Sequence, residues 1–307
     1  TAIRSTESTR DDSWNQLCSF LGLVPPIQTF PIGAPTVLKL FRDNRVVQNA
    51  ATGSRKSSAK TDDSAWALIP NLDWPLVMEQ AQEELHSDSA LLFEPMTTAS
   101  KGFRHGTETF PGNSATFDQN GLKYDSNGVH LVLSKDSVEG RPYRSGMLSS
   151  ERSFNYGRFQ VEIKAARGPG LVTGFFLYRN NPRQEIDIEL TGDNPQRMLT
   201  NVYFNPGDEG AIMNYGYRGS PCSIELGFDS TESFHTYAIE WRPGIICWSV
   251  DGRVVHTRAS WEPTPIPHLP MRLHANLWSP RSLELAGRIE ESILPASATF
   301  RNVSIWA

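Results

Sequence analysis

Residues 185–189 read Glu-Ile-Asp-Ile-Glu. On a β-strand successive side chains point to opposite faces, so Glu185, Asp187 and Glu189 share one face while Ile186 and Ile188 share the other. Three carboxyl groups on one face repel one another, and unless water screens them fully at least one pKa must rise. A carboxylic acid held beside a carboxylate is the equipment of retaining glycosidic hydrolysis. These five residues fit a half-exposed strand with a solvated acidic face equally well, because alternating charged and apolar residues are ordinary in sheets. The elements around them must decide.

From about residue 110 the pattern is β throughout. Gly121–Tyr124 and Val129–Leu133 flank Asp125-Ser126-Asn127-Gly128, a strong hairpin signal. Further strands are expected at 156–164, 171–178, 184–190, 199–204, 235–242, 245–250, 253–257, 270–277 and 298–306, with Gly, Pro, Asn or Asp in the turns. Many short strands without interposed helices indicate an all-β, antiparallel two-sheet sandwich, taken as a domain over 101–307. Residues 1–100 read differently, as a partly helical N-terminal extension of unassigned function. Helices are expected near 12–21 and 75–86, with a polar, flexible loop near 50–63. Trp14, Trp66 and Trp74 in this segment stay unassigned, whereas Trp241 and Trp248 are expected in the core.

The chain has 307 residues, 29 basic against 34 acidic, for a net charge of −5. No basic stripe suggests a nucleic-acid partner, and no apolar run approaches the ~20 residues of a membrane span. The chain opens Thr1-Ala2-Ile3-Arg4 without Met, as expected of a processed or trimmed product. Three cysteines fit no metal spacing; Cys222 and Cys247 read as a disulfide or as buried free thiols.

Several separate stretches resemble glycoside hydrolase family 16, closest to its bacterial lichenase (endo-β-1,3-1,4-glucanase) branch. They are Tyr143-Arg144-Ser145-Gly146, Tyr156–Glu162, Gly170–Tyr178, Glu185–Glu189, Phe234–Trp241, Ile246–Gly252 and Asn276-Leu277-Trp278, in the family's order. The resemblance covers about residues 110–307. It implies a concanavalin A-like β-jelly roll with a cleft for a polysaccharide chain, a secreted or periplasmic location and a monomer. It also implies Glu185 as nucleophile, Glu189 as general acid/base and Asp187 as the residue that tunes the pair. The two-and-two spacing lacks the extra residue that bulges this strand in the laminarinase branch. Trp278 and Tyr203 are expected against sugar faces and Asn201, Asn276 and Arg144 on ring hydroxyls, with Tyr143, Phe176, His274 and Arg183 also on the substrate.

Two departures from the lichenase pattern stand out. Arg183 replaces the Trp that lines the lichenase cleft, and Pro142 replaces a sugar-contacting Glu. A cleft that gains Arg is expected to accept an acidic or substituted bacterial exopolysaccharide, because Arg pairs well with carboxylates. Arg301 stands where the family offers an Asp to a structural Ca²⁺, and a cation cannot ligate a cation. No cofactor is expected, and that calcium site is expected to be lost. Two alternatives share the fold: a transglycosylase using the same covalent intermediate, and a non-catalytic carbohydrate-binding module.

Overall fold

A computed structural model describes residues 90–180, 182–204, 221–259 and 265–307. The helices expected near 12–21 and 75–86, the loop near 50–63, Trp14, Trp66, Trp74 and Cys18 lie outside the described residues.

The strands in chain order are β1 (Leu92–Glu94), β2 (Phe103–His105), β3 (Ala115–Phe117), β4 (Leu122–Asp125), β5 (Gly128–Leu133) and β6 (Tyr143–Ser145). Then come β7 (Met147–Phe154), β8 (Gly157–Lys164), β9 (Val172–Arg179), β10 (Gln184–Thr191), β11 (Arg197–Phe204) and β12 (Cys222–Glu225). The last are β13 (His235–Arg242), β14 (Ile245–Val250), β15 (Arg253–Ala259), β16 (Met271–Trp278) and β17 (Ala296–Trp306), with one short helix, α1 (Leu283–Ala286), before β17. Each strand expected from the sequence is present, with ends within two residues of expectation. β1 lies upstream of residue 101 and already belongs to the sandwich.

One sheet runs β15-β14-β13-β8-β17-β5-β4, with β1 also on β17; the other runs β12-β11-β10-β9-β16-β7-β2. Pairing within both is antiparallel, and among the described residues only the short β3–β6 ribbon is parallel. This is the expected all-β jelly-roll sandwich. Its core is formed where alternate residues of the two sheets meet, including Trp241, Trp248, Phe159, Phe300, Ile186, Ile188 and Leu190, all fully buried.

That core fixes the site. Burying each of Ile186, Ile188 and Leu190 stabilises the fold by about 1.5–3 kcal/mol. A one-residue slip of β10 would turn all three outward and the carboxyls inward, so the register is strongly specified. β10 pairs without interruption to β9 and β11. The indole N–H of Trp248, on the opposite sheet, donates to the Asp187 carbonyl at 3.0 Å, and the buried His256 ring stacks on that indole. At the start of the strand, the Gln184 side-chain oxygen accepts from the backbone N–H groups of His268 and Leu269.

Candidate active site

Glu185, Asp187 and Glu189 project from β10 away from the core. Register carries this face across the sheet. The Glu185 row reads Tyr203, Glu185, Tyr178, Arg272 from β11 to β16. The Asp187 row reads Asn201, Asp187, Phe176, His274, Ser149, Arg104, and the Glu189 row Leu199, Glu189, Gly174, Asn276, Met147. Trp278 follows beside Val172 and Thr191.

The carboxyl groups occupy unequal environments. Glu189 is only 8% exposed, and burial, then the Glu185 charge, raises its pKa to about 8, with the Trp278 indole opposing the rise. Asp187 is also raised, by burial first and then by the charges of Glu185 and Glu189, and it shares a side-chain hydrogen bond with Glu185. A neutral Asp187 donates that bond, favouring negative charge on Glu185. Arg183 supplies the counter-charge: its Nε and Nη2 lie 3.0 and 2.5 Å from Glu185 Oε2, and its guanidinium stacks over Tyr203, 4.3 Å from the ring centroid. The site therefore holds a proton on Glu189, while Arg183 and Asp187 both engage the Glu185 carboxyl.

Glu189 Oε2, Asn201 Nδ2, His274 Nδ1, Asn276 Oδ1, Ser149 Oγ and Thr191 Oγ1 are buried without a hydrogen bond among the described residues, and all belong to this one face. Leaving a buried polar group unsatisfied costs about 1–3 kcal/mol, so such a concentration marks a ligand surface. Gly174 keeps the floor low beside Glu189, since a Cβ there would meet Asn276 Oδ1 at 2.5 Å.

Comparison with known proteins bears on the family and the fold. The family description "Glycosyl hydrolases family 16" matches residues 112–290. The chain belongs to glycosyl hydrolases family 16. A beta-glucanase of Brevibacillus brevis is 35% identical over 156 residues, which cover 49% of this chain and 55% of the relative. The chain thus spans about half the length of the curated relatives it matches. The solved Bacillus licheniformis beta-glucanase is similar with a TM-score of 0.61 at 27% identity, over 72% of this chain and 100% of that one. The Crh5 transglycosylase in complex with NAG shares the fold, with a TM-score of 0.55 at 22% identity over 70% of this chain and 83% of that one.

Within this family 16 chain, Phe176, Asn201, Tyr203, His274, Asn276 and Trp278 fall on the carboxylate face, and Arg183 sits on Glu185 itself. Three of the expected residues have other surroundings. Tyr143 is buried on the β3–β6 ribbon, where its hydroxyl donates to Glu291 at 3.2 Å, because Ala115 pairing draws β6 off the seven-stranded sheet. Arg144, on the same ribbon, is ion-paired with Asp136 at 2.6 Å and Asp118 at 3.7 Å. Trp278 is 5% exposed and packs with Phe117, Val172, Leu199 and Leu285, so it borders Glu189 without offering an open ring. The exposed aromatic there is Phe110, edge-on to Trp278 at 5.1 Å. Sequence reasoning missed Phe110, Tyr178 and Arg272; for the last two the signal was parity with Glu185, usable only with the register across two strands in hand.

The family's structural calcium does not fit the residues present. Arg301 donates to Glu162 at 2.7 Å and the Asn302 amide donates to the other Glu162 oxygen at 2.7 Å, so N–H donors point where a metal needs oxygen ligands. The Arg301 guanidinium also stacks on Phe234. Cys222 and Cys247 are buried free thiols on strands of different sheets, so the free-thiol reading holds. No helix among the described residues is long and apolar enough to cross a membrane.

Proposed function

We propose that the chain is a retaining, endo-acting glycoside hydrolase that cleaves internal β-glycosidic bonds of a β-glucan or an acidic bacterial exopolysaccharide. The observation that carries this is the unequal carboxyl pair on β10: Glu189 raised to about 8 by burial and by Glu185, and Glu185 held by Arg183 and Asp187. Retaining enzymes need the two groups about 5–5.5 Å apart. Residues four apart on a strand have backbones roughly 13 Å apart, so the reading requires the two side chains to lean together over Asp187.

A Glu185 oxygen attacks the anomeric carbon as the glycosidic C–O bond breaks, and Glu189 delivers its proton to the leaving oxygen. Water then attacks the glycosyl ester, Glu189 takes a proton from it, and Glu185 leaves as the carboxylate. Asn201, His274 and Asn276, with their unsatisfied atoms, are suited to ring hydroxyls. The ground for including an anionic glycan is that Arg183 stands where the lichenase pattern has a Trp, although Glu185 already pairs its charge. The same reading makes the fold independent of calcium, because Arg301 and Asn302 already neutralise and satisfy Glu162.

An activity screen over neutral and acidic β-glucans, with products followed by NMR, tests the reading. First-formed products with the β-anomeric configuration are expected; first-formed α-anomers would contradict it. Cleavage of neutral mixed-linkage glucan far faster than every anionic polymer would remove the acidic-substrate part.

A further inference from the structure

Arg272 is the one charged residue of the Glu185 row whose side chain the proposed chemistry does not use. It lies on the carboxylate face, two strands from Glu185 with Tyr178 between them, a span of about 10 Å at the usual strand spacing. Between Arg272 and His274 the β16–β7 register shifts, which frees carbonyls of β7 from that ladder. Arg272 Nη1 donates to two of them, Ser150 O at 2.6 Å and Glu151 O at 2.8 Å.

Those two bonds use both protons of Nη1 and fix the guanidinium plane. The opposite edge, Nε with Nη2, is the fork that grips a carboxylate through two parallel hydrogen bonds. Among the described residues this edge has no partner, and no carboxylate is ion-paired with Arg272. The neighbouring Arg104 is neutralised by Glu108 at 2.9 Å, and Arg183 by Glu185. Arg272 is therefore the uncompensated positive charge of this row. It is half-buried, so the charge is poorly screened and its fork is pre-organised. Tyr178, half-buried between Glu185 and Arg272, offers a ring on which a pyranose can rest.

We propose that Arg272 is a specificity-determining residue that binds a carboxylate substituent carried by a sugar resting on Tyr178, away from the bond that is cut. The proposal rests on the polysaccharide-hydrolase reading of this same face.

The test uses a mixed-linkage β-glucan and the same polymer partly oxidised at C6 to glucuronate. The readout is the ratio of kcat/KM on the oxidised to the neutral polymer, for the intact chain and for Arg272→Gln and Arg272→Lys. The parent is expected to favour the oxidised polymer, and Arg272→Gln to lower the ratio about tenfold or more, the loss of a hydrogen-bonded charged contact. Arg272→Lys keeps the charge without the fork and should fall between. Losing the β7 carbonyl bonds alone would lower both activities together and leave the ratio unmoved. An unchanged ratio in Arg272→Gln, or a parent without preference for the oxidised polymer, overturns the proposal. If the parent cleaves neither polymer, the hydrolase reading fails on its own, and calorimetric binding of oxidised against neutral oligosaccharides then decides Arg272 by the same ratio.

Discussion

Glu189 carries the pH dependence. In the proposed mechanism its proton is the one delivered to the leaving group, and its pKa of about 8 then predicts that kcat/KM falls as pH rises through that value. Replacing Glu189 by Gln should lower kcat by about 10²–10⁴-fold, the usual worth of a positioned acid/base. Trp278 opposes the upward shift, so Trp278→Phe should move the basic limb to higher pH; a limb that stays in place would detach Trp278 from Glu189. The same group affects stability in a defined direction. Its folded pKa of about 8 lies above the ordinary 4.5, so the unfolded chain loses the proton first. Below the lower value there is no penalty; as pH rises from there to the upper value Glu189 increasingly opposes folding. Glu189→Gln should therefore gain stability over the parent at pH 8, by a few kcal/mol at most, and much less at pH 4. Denaturant midpoints at the two pH values measure this.

At the scale of elements, the site is a consequence of strand register. The isoleucines lock β10 with its carboxyls outward, and Ile188→Ala should destabilise by about 2–5 kcal/mol, read in denaturant unfolding. Trp248→Phe removes the donor to the Asp187 carbonyl while keeping most of the ring. It should cost about 1 kcal/mol in stability, together with a drop in kcat larger than any change in KM. On β17, Arg301 predicts that a chelator leaves the melting temperature unchanged; a large fall on chelation would contradict the Arg301–Glu162–Asn302 arrangement. Strands with clean alternation, β8 (Gly157–Lys164) among them, were legible because half-buried sheets write period two into the sequence. β7 was not, since Ser149–Ser153 is a polar stretch whose last three residues are exposed and whose ladder with β16 is interrupted.

For the molecule as a whole, the two sheets divide the labour: one supplies the core wall and Trp248, the other presents the carboxyl face. Glu185, Asp187 and Glu189 were legible because one strand carries all three. Asn201, Tyr203, Phe176, His274 and Asn276 followed from ordered motifs on neighbouring strands. Tyr178, Arg272 and Phe110 were not legible, since what they face depends on register across several strands and on loop packing, which periodicity does not encode. Tyr143 and Arg144 lie on the β3–β6 ribbon and not on the seven-stranded sheet, a placement that periodicity does not encode either. The central claim is that Glu185 is the nucleophile of a retaining reaction. Its most direct measurement is covalent trapping of the intact chain with a mechanism-based glycoside inhibitor, followed by peptide mass mapping. The account predicts a single label on Glu185; a label on another residue, or full hydrolysis by Glu185→Ala, would contradict it.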